Sequence, residues 1–472
     1  MNYPEEPMKN TTLNTMYRYE EFLNKIAALN KEYENAAAKS RLAFVHTYGC
    51  QQNVSDSEHI KGILDEMGYT FTENVEEADL AIYNTCAVRE HAEQRVFGNI
   101  GALKGIKENR PSMIIAVCGC MTQQEHVSEK IKKSYPYVDL VFGTRALERL
   151  PEMLYKAMTG KRVFDLSGED IVTEGLPVLR GGSIKAWLPV MYGCNNFCTY
   201  CIVPYVRGRE RSRKPQDIIA EAKRLVAEGA HEITLLGQNV NSYGKDLGSI
   251  NFARLLSEIN AIEGDFRIRF MTSHPKDVTP ELIDAISLCE KVSKQLHLPF
   301  QSGSTRVLKL MNRGYSKEQY LALIDSVRNK ISGISLTSDI IVGFPGESYE
   351  DFCQTLEVVR RVEFDNLFTF IYSRREGTPA AGLEDPFPHD EKVKWLGELL
   401  SLQEEISSRH MAAIVGSTLE VLCESFDGGF ATGRTDGGLL VRFEGSGEQV
   451  GKFVNIKITA SSRTMLTGVL QT

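Results

Sequence analysis

The stretch MYGCNNFCTYCIVPY places cysteines at 194, 198 and 201. Thiolates are soft ligands that select zinc, copper(I) or iron–sulfur clusters. A structural zinc or a fully ligated cluster normally takes four protein ligands, yet no fourth cysteine follows until Cys289. A closed zinc site is therefore the weaker reading. Three thiolates on a four-iron cluster leave one iron open to a substrate or cofactor. The arithmetic repeats earlier in the chain, where Cys50, Cys86 and Cys120 each follow an apolar, β-rich run (HTYGC, YNTC, AVCGC). In an open parallel α/β sheet, ligands sit just outside the carboxyl ends of the strands. Cysteines that follow successive strands can therefore converge although they are far apart in sequence. Cys118 lies inside its run and reads as core. Cys289, Cys353 and Cys423 have no partners at ligand spacing and read as structural.

These cysteines need elements to position them. Strand-like runs at 42–48, 79–84, 113–118 and 138–142 alternate with helical patterns such as SDSEHIKGILDEMG. That alternation predicts a parallel, Rossmann-like α/β domain over 41–158. A Gly- and charge-rich connection at 159–183 reads as a linker. A second series follows over 184–410, with strands expected at 186–192, 232–237, 268–273, 295–300, 335–344 and 366–373. Six strand–helix units predict a partial (β/α)6 barrel with its site at the carboxyl strand ends. Over 413–472 short strands and Gly turns predict a small antiparallel β-barrel of the OB or TRAM type, a frequent nucleic-acid reader. The class is thus α/β, with three folded parts after a helical extension at 1–40.

Composition bounds the rest. Hydrophobic residues make up 42% and charged residues 25% of 472 positions, which is ordinary for a globular chain. No apolar run approaches the ~18 residues of a membrane span, and residues 1–40 contain no signal-peptide apolar core. The expectation is a cytoplasmic protein whose ten cysteines serve metal or catalysis before disulfides. A net charge of −8 excludes a protein basic over its whole surface. It leaves room for a local phosphate-binding patch, and Arg207, Arg209, Arg211, Arg213 and Lys214 form one such run.

The loop Cys194-Asn-Asn-Phe-Cys198-Thr-Tyr200-Cys201 resembles the signature of radical S-adenosylmethionine enzymes. With a second three-cysteine set, an N-terminal α/β domain and a small C-terminal barrel, the chain resembles the methylthiotransferases across about 41–472. TYGCQQNVSDSE, NTCAVREHAEQRVFGNIG, LLGQNVNSYG, MTSHP, HLPFQSGS and GFPGES carry the likeness to the group that installs a methylthio group at C2 of N6-isopentenyladenosine, next to the tRNA anticodon. Gln51-Gln52 stands where relatives acting on a ribosomal protein show Pro-Lys and those acting on threonylcarbamoyladenosine show Lys-Val. The resemblance implies a 4Fe-4S cluster on Cys194, Cys198 and Cys201, an auxiliary 4Fe-4S cluster on Cys50, Cys86 and Cys120, and Tyr200 near the adenine of S-adenosylmethionine. It also implies two uses of that cofactor, one as methyl donor and one as source of a 5′-deoxyadenosyl radical.

Other placements follow the barrel. Gln238 and Asn239 in LLGQNVN, Gln301 and Ser302 after HLPF, and Asp339 in the fifth strand are candidates for cofactor or adenosine contacts. Gly343 and Gly346 in GFPGE read as a tight turn or a close cofactor approach, and His274 in SHP as a mouth residue. For tRNA, the candidate phosphate contacts are Arg207, Arg209, Arg211, Arg213, Arg374, Arg375, Arg434, Arg442 and Lys452. Expected partners are the isopentenylated anticodon stem-loop, an electron donor such as flavodoxin or ferredoxin, and a sulfur or cluster supply protein. No membrane partner is expected, and a monomer suffices. Two alternatives stay open: methylthiolation of another modified adenosine or a ribosomal-protein aspartate, and a non-catalytic iron–sulfur or zinc RNA-binding protein.

Overall fold

The computed structural model describes residues 10–87, 90–168, 172–182 and 184–471. Residues 1–9 of the expected extension, 88–89 of the second cysteine motif, 169–171 and 183 of the expected linker, and 472 lie outside the described residues. The chain forms two compact units. The first comprises Met1–Gly181, Tyr192–Cys194 and Ile202–Arg211, and the second Gly182–Met191, Asn195–Cys201 and Ser212–Thr472.

The first unit is built on a six-stranded, all-parallel sheet of β1 (Leu42–Thr47), β2 (Thr70–Phe71), β3 (Leu80–Thr85), β4 (Ile114–Gly119), β5 (Leu140–Phe142) and β6 (Val163–Asp165). The order is β2-β1-β3-β4-β5-β6. β3 and β4 are buried at every position, as expected of central parallel strands covered by helices on both faces. The core is accordingly split in two, one layer around Ile63, Leu64, Leu80 and Ile82 and the other around Val96, Ile100, Ile115 and Val117. β2 and β6 were not legible as strands because edge strands of two or three residues show no period. β6 lies within the stretch expected as linker. The helix Asn10–Ala37 joins the first layer: Ile26 is fully buried, Asn30 donates to Met67 O (2.9 Å), and Arg18 pairs with Glu152 (2.5 Å).

In the second unit the strands Lys185–Pro189, Glu232–Leu236 and Arg267–Phe270 form one parallel sheet, and Gln295–His297, Ser335–Val342 and Asn366–Ile371 another. A parallel bridge from Ile268 to Val292 joins the two, giving the expected open six-stranded barrel. The run expected as a strand over 295–300 stops at His297, and Gln301 turns the chain at φ +70°. The helix His389–Ile414 leads into a closed barrel of Thr418–Asp427, Phe430–Thr435, Leu440–Glu444, Phe453–Ser461 and Leu466–Leu470. Gly428 and Gly429 turn its first hairpin at φ +55° and +84°, the positive pair a two-residue hairpin loop prefers. This small barrel is tied to the larger one by two arginines. Arg267 donates to Thr435 O (3.0 Å), and Arg269 donates to Thr435 O (2.8 Å) and Asp436 O (2.9 Å). Among the described residues no helix is long and apolar enough to cross a membrane.

Candidate active site

The carboxyl ends of β1, β3 and β4 are neighbours in the first sheet, and Cys50, Cys86 and Cys120 follow them. Cys50 caps the N-terminus of the helix Gln51–Glu66, where aligned peptide dipoles favour an anion. Gly49 precedes it at φ +111°, and a Cβ there would stand 2.7 Å from the Cys86 sulfur. Gly119 precedes Cys120 at φ +99°, and its Cβ would meet Thr85 O at 2.4 Å. Only glycine permits either approach. Cys86 and Cys120 are buried while Cys50 is exposed, so the group of thiols opens on one side.

Asn53 organises this pocket. Its amide donates to Tyr48 O and Thr85 O, both at 3.0 Å. Its oxygen lies 3.7 Å from Cys50 Sγ and 3.9 Å from Cys120 Sγ. The same oxygen accepts from Arg207 Nη2 at 2.8 Å. Arg207 Nε donates to Cys120 Sγ at 3.1 Å, and its Nη2 pairs with Asp56 Oδ2 at 2.7 Å. A hydrogen bond with Cys86 holds the Cys50 thiol down at about 6, and the nearby Arg207 charge acts in the same direction. Burial pushes Cys120 up to about 11. Cys118 is 2% exposed in the core, its thiol raised well above the ordinary range by burial.

All ten cysteines are free thiols. Among the described residues no three His, Cys, Asp or Glu side chains close on one point as ligands of a single metal ion would. A four-iron cluster makes a different demand, because each thiolate binds its own iron and the sulfurs stand apart. Two thiols within 3.9 Å of one amide oxygen, a third hydrogen-bonded to the first of them, and a guanidinium against one sulfur fit that donor set.

The second three-cysteine loop is divided by chain segment. Cys194, 7% exposed, ends the first unit's Tyr192–Cys194, where its N–H donates to Gly208 O at 3.1 Å. Gly193 (φ +76°) lies so close to Arg209 O that a Cβ would stand 1.9 Å from it. Cys198 and Cys201 belong to the second unit. There the loop is pinned by Thr199 N–H to Met311 O (3.1 Å), Thr199 Oγ1 to Leu310 O (2.8 Å) and Asn312 Nδ2 to Phe197 O (3.0 Å). These bonds hold Phe197 in a left-handed conformation (φ +47°) that a non-glycine residue seldom adopts. Arg313, 5% exposed, donates to Cys198 Sγ (3.3 Å), Tyr200 OH (3.3 Å) and Pro299 O (2.7 Å).

The remaining sequence candidates scatter more widely. Asn239 is buried and donates to Asp277 Oδ2 (2.8 Å), its own oxygen without a hydrogen-bond partner. Gln238 is half-buried. Gln301 and Ser302 are buried at the turn after Phe300. Asp339 faces His297 Nε2 at 3.4 Å, on a sheet face that also carries the exposed rings of Phe368 and Phe370. Gly343 serves a turn closed by Glu347, whose carboxylate accepts from the N–H groups of Gly343 (2.6 Å) and Phe344 (3.1 Å). His274 is buried, its Nδ1 accepting from Lys276 N–H at 3.3 Å.

Burial corrects two of the expected phosphate contacts. Arg207 is 5% exposed and spent on Cys120, Asn53 and Asp56. Arg213 is 7% exposed and held by Pro189 O (2.7 Å) and Glu221 (2.9 Å). Arg209, Arg374, Arg442 and Lys452 are exposed, while Arg211, Arg375 and Arg434 are half-buried. Arg442 lies over the Phe430 ring at 3.9 Å. Sequence reading missed Asn53, Asp56 and Arg313. Asn53 and Asp56 stood inside the quoted TYGCQQNVSDSE motif, three and six residues after its cysteine, on the helix that Cys50 caps.

Residues 188–359 match the radical SAM superfamily and 413–470 the TRAM domain, and residues 42–143 match a group described only as uncharacterized protein family UPF0004. The radical S-adenosylmethionine methyltransferase TsrM from Kitasatospora setae shares the fold at a TM-score of 0.54 and 15% identity, over 73% of this chain and 77% of that one. The fold and the three-cysteine loop define a radical S-adenosylmethionine enzyme.

Relatives at higher identity narrow the class. The tRNA-2-methylthio-N(6)-dimethylallyladenosine synthase of Caldicellulosiruptor saccharolyticus is 51% identical over 95% of this chain and 96% of its own length. Its namesake in Acetivibrio thermocellus is 50% identical over 96% of each. The chain belongs to the family of tRNA-2-methylthio-N(6)-dimethylallyladenosine synthases.

Proposed function

We propose that this enzyme converts N6-dimethylallyladenosine next to the anticodon of tRNA to its 2-methylthio derivative. The observation that carries this reading is identity of about half the residues to named synthases along nearly the whole chain. C2 of adenine is an unreactive aromatic carbon, beyond acid–base or ordinary nucleophilic chemistry. An iron–sulfur cluster with S-adenosylmethionine supplies, when bound, the one-electron cleavage that makes a carbon radical, and a second S-adenosylmethionine supplies the methyl group.

The chain's own residues hold and shield this chemistry. Cys194, Cys198 and Cys201 would ligate one 4Fe-4S cluster and leave one iron for the cofactor's amino acid end. Arg313 offsets thiolate charge at Cys198 and fixes the Tyr200 hydroxyl beside it. Cys50, Cys86 and Cys120 would hold the auxiliary cluster, with Asn53 and the two glycines fixing their approach. The turn at Gln301 and Ser302, with Asn239 and Asp339, offers polar groups at the carboxyl strand ends. Their part would be to orient cofactor and base, and Asn239 Oδ1 is a buried acceptor available for that purpose. Exposed Arg209, Arg374, Arg442 and Lys452 can meet phosphates of a single-stranded loop, from which the target base would be extruded. Electron donor and sulfur supply would come from separate proteins, with the chain acting as a monomer.

The test is anaerobic turnover of the reconstituted enzyme with dimethylallylated anticodon-loop RNA, followed by nucleoside mass spectrometry. Gain of SCH3 on the modified adenosine is expected. Cleavage of S-adenosylmethionine with no methylthio product on that RNA would point to another acceptor.

A further inference from the structure

Arg207 belongs by sequence to the basic run after the radical-cluster loop, yet its guanidinium is buried among the N-terminal cysteines. Three of its contacts bear on one place: Nε to Cys120 Sγ at 3.1 Å, Nη2 to Asn53 Oδ1 at 2.8 Å, and Nη2 to Asp56 Oδ2 at 2.7 Å. The Asn53 oxygen it holds is the atom that faces both Cys50 and Cys120. The segment carrying it is packed in place, since Val206 and Ile202 share a small buried cluster with Cys120 and Ala87, and Thr144 Oγ1 donates to Val206 O at 2.7 Å. A buried guanidinium costs several kcal/mol in lost hydration unless it is paired, and Asp56 supplies the counter-charge. Its remaining contact within the site is the hydrogen bond to the Cys120 sulfur.

We infer that Arg207 is a positioning residue that sets the electron affinity of the group held by Cys50, Cys86 and Cys120, with Asp56 as its counterweight. This rests on the reading of those three cysteines as the ligands of an auxiliary cluster. Reduction adds negative charge to a cluster, and hydrogen bonds to its sulfurs and nearby net charge set its potential. A cation hydrogen-bonded to a ligand sulfur favours the reduced form. Asp56, bound to the same guanidinium, opposes that bias. The two side chains therefore push the potential in opposite directions, which a merely structural pair would not do.

The experiment uses the full chain with Cys194, Cys198 and Cys201 all replaced by alanine, so that only the N-terminal set can take up iron. After anaerobic reconstitution with ferrous iron and sulfide, iron content and the midpoint potential are measured, the latter by titration followed by electron paramagnetic resonance. This background should hold about four irons per chain. Arg207→Gln in the same background should make reduction at least tenfold less favourable, a fall of about 59 mV for one electron. Arg207→Lys should recover most of that fall, and Asp56→Asn should move the potential upward. Unchanged potential in Arg207→Gln, or a downward move in Asp56→Asn, would overturn the inference. Should Arg207→Gln fail to fold by circular dichroism, the sign of the Asp56→Asn shift decides alone. A background that binds no iron would overturn the reading of the cysteines beneath it, a failure seen before any arginine is changed.

Discussion

Glu347 offers the sharpest test of how the barrel's fifth strand is closed. It is 1% exposed, and its carboxylate accepts from the N–H groups of Gly343 and Phe344. Burial raises its carboxyl from 4.5 to about 7, with Asp351 adding repulsion and Lys392 relieving it. The folded chain therefore keeps this proton between pH 4.5 and about 7, where the unfolded chain has released it. Folding stability must fall as pH climbs through that interval and level off above it. A tenfold difference in proton affinity is worth about 1.4 kcal/mol, so the interval amounts to roughly 3 kcal/mol. Glu347→Gln keeps an oxygen for both N–H groups and cannot ionise. Its stability relative to the parent should be near zero at pH 5 and rise by up to about 3 kcal/mol at pH 8. Trp187 and Trp395 are the only tryptophans and both lie in the second unit, so urea unfolding followed by their fluorescence reports on the part concerned. Parallel stability curves for parent and variant from pH 5 to 8 would refute the reasoning.

Three further outcomes are expected. Cys194→Ala should abolish S-adenosylmethionine cleavage and lower reconstituted iron from about eight to about four per chain; Cys50→Ala should reach the same iron content while cleavage persists, both read by iron assay and 5′-deoxyadenosine formation. Replacing Arg267 and Arg269 together by alanine removes charged hydrogen bonds worth about 1.5–3 kcal/mol each. Limited proteolysis should then cut near the exposed Val415 and release the small barrel, while the parent resists. Alanine at Arg209, Arg442 or Lys452 should weaken tRNA binding and flatten its logarithmic salt dependence by roughly 0.7 per lost contact; Arg213→Ala should leave the slope unchanged, because Glu221 and Pro189 already occupy that side chain.

Much of the architecture was legible because period and punctuation carry it. The apolar runs around Ile82 and Ile115 are long enough to announce buried parallel strands, and β1, β3 and β4 deliver Cys50, Cys86 and Cys120 to one edge of the sheet. The Gly-Gly hairpin and short alternating runs announced the small barrel. Contacts between residues remote in the chain were not legible. Arg207 meets Cys120 across 87 positions and Arg313 meets Cys198 across 115, and a run of arginines looks the same in sequence whether solvent or thiols receive it. The two-residue strand Thr70–Phe71 was invisible for a simpler reason. Its existence depends on pairing with β1, which no local pattern encodes.

The first unit's discontinuity has a practical meaning for anyone who would build with this enzyme. A fragment ending at Gly181 would lack Ile202–Arg211, and with it the cation that Asp56 and Asn53 were shaped to receive. Cutting this unit out at a single junction would thus leave both side chains facing an empty place. Any excised form of the unit must carry the short insert after Cys201 together with the residues up to Gly181.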